Sequence, residues 1–119
     1  MTDLSAGTDL SAEDAKLVTL ARATRARTGA AEGAAVRDTD GRTYAAATVA
    51  LPSLAVSAVG VCVAMAVASG SKGLEAVVVL TEAGEAAETD LAAVREFAGA
   101  GVPVLVGDPR GTIGATANS

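Results

Sequence analysis

With 119 residues and a formal net charge of −5, from 14 acidic and 9 basic side chains, the chain is long enough for one domain and too short for two. Its lysines and arginines are scattered and give no electrostatic footprint for nucleic acid or an anionic membrane. There is no histidine and a single cysteine, Cys62, so the usual zinc ligands and the commonest partners of nucleophile and proton-transfer pairs are missing, and no intrachain disulfide can form.

The first ten residues are expected to form a flexible tail ahead of a single domain over residues 11–119. The start Met1-Thr-Asp-Leu-Ser-Ala-Gly7 has neither the basic region nor the apolar core of a signal peptide, which suggests a cytoplasmic address. The segment Thr2-Asp-Leu-Ser-Ala6 is echoed by Thr8-Asp-Leu-Ser-Ala12, and only the second copy leads into a helix. There Ser11 is an N-cap followed by acidic Glu13 and Asp14, and Leu17, Leu20, Ala21 and Thr24 share one face. Arg22, Arg25 and Arg27 crowd the end before Gly29 stops the helix, and they read as a solvated helix end rather than a phosphate clamp.

Two extended stretches follow, 33–37 and 43–49, joined across 38–42 by an Asp-Gly turn of the hairpin type. Pro52 and Ser53 are expected to open a long helix that Gly70 closes; its apolar run over 54–68 shows no polar stripe. At 15 residues that run falls short of a membrane span, which needs roughly 20. Residues 75–81 read as a fully buried strand and 82–88 as an acidic loop. Thr89 or Asp90 is expected to cap a third helix that presents Leu91, Val94 and Ala98 and ends at Gly99. A buried strand over 102–106, a turn over 107–111 and a short strand over 112–115 complete the chain. The order α-β-β-α-β-α-β predicts an α/β fold of three layers, α/β/α, around a mixed sheet. Only Tyr44 and Phe97 are aromatic, so its core has to be built from Ala, Val and Leu at close backbone approach.

That order, the Asp40-Gly-Arg-Thr-Tyr44 hairpin followed by the apolar helix, and Val94-Arg-Glu-Phe97 leading to Val102-Pro-Val-Leu-Val-Gly-Asp108 together resemble the cytidine deaminase family. The resemblance spans about residues 11–113. It implies an Asn-x-Glu ribose motif after the second strand, Cys-Ala-Glu or His-Ala-Glu at the start of the next helix, and Pro-Cys-x-x-Cys at the start of the third. In such a site three ligands hold zinc with a position open for water, while the glutamate, which is no ligand, moves protons.

A gapless count from Asp40-Gly41 puts Thr48 and Ala50 at the ribose positions, Val59 at the first zinc ligand and Val61 at the glutamate. Counting back from Val94-Arg-Glu-Phe97 puts Ala87 and Asp90 at the cysteine pair. Against the resemblance, this chain is therefore expected to have no metal, no cofactor and no catalytic or substrate-binding residues at those places. Sliding the count by three to make Cys62 a ligand places Ala64 at the glutamate, so Cys62 reads as a small buried hydrophobe. Asp90 reads as a helix cap.

Ser53 and Ser57 have no histidine to activate them, and Glu82, Glu85, Glu88 and Asp90 lack regular cation-ligand spacing. Gly70-Ser-Lys-Gly73 lacks P-loop spacing and reads as a helix stop. A helix apolar all round needs more cover than one sheet and two other helices provide, and the resemblance implies subunits meeting near it. The sequence is thus read as a catalytically inactive cytidine deaminase-like protein, a structural or interaction module that forms a homodimer or homotetramer or meets another cytoplasmic protein. It is expected to bind neither nucleic acid nor membrane. A nucleoside or nucleotide sensor in the old cleft, and a related hydrolase with a different active site, are the alternatives.

Overall fold

The computed structural model describes residues 10–119, so most of the expected tail and the first copy of the Thr-Asp-Leu-Ser-Ala echo lie outside the described residues. Helix α1 spans Ala12–Thr28, with the Ser11 hydroxyl accepting from the Asp14 amide at 3.0 Å. It ends at Gly29, whose φ of 66° is the left-handed cap that glycine adopts without steric cost. Strands β1, Gly33–Asp38, and β2, Thr43–Ala47, form the expected hairpin, pairing Val36 with Tyr44. Its turn is built on Asp38, whose buried carboxylate accepts from the amides of Asp40 at 3.0 Å and Arg42 at 2.8 Å.

Between β2 and the second helix the fold departs from expectation. Pro52 and Ser53 do not open a helix; they form the two-residue tip of a separate antiparallel hairpin, β3, Val49–Leu51, and β4, Leu54–Val56, with Leu51 opposite Leu54. Proline's fixed φ suits a turn as well as a helix start, and Val49 and Val56 flank it with β-branched chains that favour extension. Helix α2 is consequently shorter, Ala58–Ala68, and its cap is Ser57. Gly70 does end the helical segment, at φ 83°.

Strand β5, Leu74–Leu80, helix α3, Glu88–Ala98, strand β6, Pro103–Gly107, and strand β7, Ile113–Asn118, complete the chain. The last strand is longer than the stretch read from sequence. The five-stranded sheet runs β2-β1-β5-β6-β7; β5 and β6 are parallel and the other neighbours antiparallel. Alternate residues of each strand serve opposite faces. Ala35, Ala76, Val78, Leu80, Leu105 and Ile113 pack with Leu17, Val18 and Ala21 of α1. Ala34, Val36, Val77, Val79, Val104 and Val106 pack with Val59, Cys62 and Ala66 of α2 and Val94 of α3. The result is the three-layer α/β/α arrangement around a mixed sheet; β5 is buried on both faces from Ala76 to Leu80, which explains that apolar run, whereas Glu75, expected in the buried strand, is exposed and pairs with Arg37.

The scarcity of large side chains draws the layers together. At Gly33 an added Cβ would run into the Ala21 carbonyl oxygen and come within 2.7 Å of the Arg25 Cβ, so α1 rests almost directly on β1. On the opposite face, the end of α2 is tied to the first hairpin by Ser71, which donates to Asp38 Oδ2 at 2.6 Å and shares a 3.3 Å hydrogen bond with the Tyr44 hydroxyl. That Ser71 bond, with the Arg42 and Asp40 amides and the Arg42 guanidinium, holds the Asp38 carboxyl below the usual carboxylate range despite its burial. Among the described residues no helix is long and apolar enough to cross a membrane.

Candidate functional site

The first turns of α2 and α3 meet over the sheet, and the polar contact between them comes from two side chains. Ser57 precedes α2 with extended backbone, φ −67° and ψ 159°, which aims its hydroxyl back at the helix; Oγ accepts from the Gly60 amide at 2.9 Å. The same hydroxyl donates to Asp90 Oδ1 at 2.6 Å. Neither Thr89 nor Asp90, the expected caps of α3, caps it; both lie inside the helix. The cap residue is Ala87, which offers no side-chain bond, while its carbonyl accepts from the amides of Asp90 and Leu91, both at 3.0 Å. Asp90 thus lies in the third helical position, where the helix dipole favours a carboxylate, and it is buried.

The other positions singled out from sequence do not converge on this pair as polar groups. Val59 is 1% exposed and belongs to the core beneath α2, and Val61 is half-buried at its margin. Ala87 is exposed. Thr48 spends its hydroxyl on one backbone neighbour, accepting from the Glu32 amide at 3.0 Å and donating to the Glu32 carbonyl at 3.3 Å. Ala50 is exposed on β3. Cys62 points into the core, its thiol donating to the Tyr44 carbonyl at 3.6 Å, and burial pushes its pKa up to about 12. Ser57 is the residue the sequence reasoning missed as a partner. A serine followed three residues on by the first helical amide it caps is a legible signal; its bond to Asp90, 33 residues away, is not.

Of the acidic loop, Glu82, Glu85 and Glu88 are exposed, and Glu88 accepts from Arg95 at 3.3 Å. Glu32 accepts from the Thr81 hydroxyl at 2.7 Å at the end of β5. Clefts open among the described residues at this end of the sheet. One, of about 740 Å³, is lined by Thr81, Glu82, Asp108, Arg110 and Thr112, with Asp108 held below the usual carboxylate range by the amides of Thr112 and Arg110. Another, of about 560 Å³, is lined by Glu32, Glu85, Ala87, Glu88 and Leu91. Neither is lined by Ser57, Val59 or Asp90.

The zinc implied by the resemblance would need three protein ligands and an open position. Between the first turns of α2 and α3 the facing polar side chains are the Ser57 hydroxyl and the Asp90 carboxylate already bonded to it; Ala87 offers a methyl, and Glu88 and Thr89 are exposed, Glu88 accepting from Arg95. Among the described residues no group of three or more His, Cys, Asp or Glu is arranged to hold a metal. This donor set does not fit zinc.

The fold has clear relatives among solved structures. Cytidine deaminase from Burkholderia pseudomallei superposes with a TM-score of 0.75 at 19% identity, covering 91% of this chain and 92% of the other. Cytidine deaminase from Mycobacterium leprae gives 0.69 at 20% identity, covering 92% and 94%. A mutant cytidine deaminase from Mycobacterium tuberculosis gives 0.65 at 22% identity, covering 85% and 88%. No curated protein matches the sequence. The family described as cytidine deaminase-like (CDL) matches residues 10–111, and with this match across most of its length the chain belongs to the cytidine deaminase-like family.

Proposed function

We propose that this chain is a cytidine deaminase-like protein without deaminase activity, serving in the cytoplasm as a structural or interaction module that associates with itself. The observation that carries the reading is the composition of the two first turns. Where the family resemblance calls for ligands and a proton shuttle, this chain has Val59 and Val61 in α2, just after the Ser57 cap, and Ala87 and Asp90 at the start of α3. The hydroxyl and carboxylate satisfy each other, and Val59 fills the core. A carboxylate engaged by a serine hydroxyl, with aliphatic side chains at the remaining places, has no means to activate water against a pyrimidine ring.

Self-association is supported by the surface that follows the first hairpin. No charged residue occurs between Arg42 and Lys72, yet this stretch includes the exposed Leu51, Leu54 and Val67. Depletion of charge is what marks the buried centre of an interface, and the hairpin tip and the outer side of α2 meet that description. A second copy of the chain is the occupant we assign, in a homodimer or homotetramer. Light scattering at micromolar concentration should give a mass that is a multiple of 11.5 kDa. A monomer would overturn self-association. Thermal stabilisation by cytidine or uridine would instead favour a ligand-binding sensor, because a ligand that binds only the folded state raises its stability.

A further inference from the structure

We infer that the Ser57–Asp90 hydrogen bond performs, without metal, the structural part of what a shared metal does in such a fold: it ties the first turn of α2 to the first turn of α3. The inference rests on the reading above for its metal-free premise. It goes further in assigning the tie to two residues.

The two side chains are 33 residues apart and lie 2.6 Å apart across the helix pair, so the bond is purely tertiary. Ser57 uses its hydroxyl in both senses, accepting from the Gly60 amide and donating to Asp90, which fixes the hydroxyl proton toward the carboxylate. Asp90 is 8% exposed, whereas Glu82, Glu85 and Glu88 just before it are exposed. A carboxylate withdrawn from water needs a partner, and Ser57 is the side chain that supplies one. α3 has no side-chain cap of its own at Ala87. Its start is therefore anchored sideways to α2.

A double-mutant cycle tests this directly. Urea unfolding of the wild type, Ser57→Ala, Asp90→Ala and the double variant is measured with and without EDTA. The cap that Ser57 provides to Gly60 is lost in both Ser57 backgrounds and cancels in the cycle. The expected coupling is roughly tenfold to hundredfold in the folding equilibrium constant, the scale of a hydrogen bond to a charged group. EDTA is expected to change nothing. Additive single effects with EDTA inert would overturn the tie alone; destabilisation of the wild type by EDTA would overturn the metal-free premise as well. As a positive control on geometry, the triple variant Ser57→Cys, Ala87→Cys, Asp90→Cys should take up one Co(II) with thiolate-to-metal absorption. A folded triple variant that ignores Co(II) would contradict the assignment of this pair to the metal's place.

Discussion

Placing a glutamate at position 59 asks whether water still reaches the inner side of α2. Val59 is 1% exposed and packs in the core that includes Val36, Val77 and Val94. Val59→Glu at neutral pH forfeits the burial of a valine, about 1.5–3 kcal/mol. It also strands a carboxylate whose effective desolvation penalty is several kcal/mol. Against a total of about 5–15 kcal/mol for a domain of ordinary stability, the variant should lose most of its margin or fail to fold at pH 7. Burial raises the folded-state pKa of such a glutamate, so part of the loss should return as the pH falls toward 5 and the group is neutralised. Val59→Thr keeps the shape and buries one unpartnered hydroxyl, at a cost of about 1–3 kcal/mol. Urea unfolding followed by far-ultraviolet circular dichroism suits a chain with no tryptophan. A Val59→Glu variant within about 0.5 kcal/mol of wild type, a difference typical of surface substitutions, would refute the reasoning by showing position 59 to be in an open, wet cleft.

Gly33→Ala should lower stability by about 1–3 kcal/mol through overpacking, because the new methyl meets the α1 backbone rather than a yielding side chain; an unchanged urea midpoint would mean α1 rides farther from the sheet. Asp38, held below its ordinary pKa first by Ser71, contributes stability that is complete above the unfolded value near 4 and lost as pH falls through the folded value. Ser71→Ala should therefore flatten the acid limb of a stability–pH profile between about pH 2 and 5, and an identical limb would contradict the assignment. With its pKa pushed up to about 12 and its side chain buried, the Cys62 thiol should resist a thiol-specific disulfide reagent at pH 8 until urea is added. Rapid modification of the native protein would show α2 to be loosely docked.

What could be read from the sequence follows from how local each cause is. Ser11, Gly29, the Asp40-Gly41 turn and the apolar runs of β5 and β6 act through immediate neighbours, and each stands where expected. Pro52-Ser53 failed because a proline before a serine suits a helix start and a hairpin tip equally; the choice was made by the pairing of Val49 with Val56. Asp90 failed for a related reason. The true cap, Ala87, has no polar side chain to announce it, so the nearest aspartate drew the assignment. Ser57 is legible in the sequence as a cap of the following turn, but only its contact with Asp90 reveals that it faces α3. Spacing along one segment carries no information about a bond between two helices far apart in the chain. The absence of histidine and the solitary cysteine, by contrast, are properties of composition, and they argue against the familiar zinc and nucleophile chemistries whatever register is chosen.

A deaminase fold kept without its chemistry is tested most directly by ammonia release from cytidine by the purified protein with zinc supplied. The expected rate equals that of zinc and cytidine without protein. Ammonia release that rises in proportion to protein concentration would contradict it.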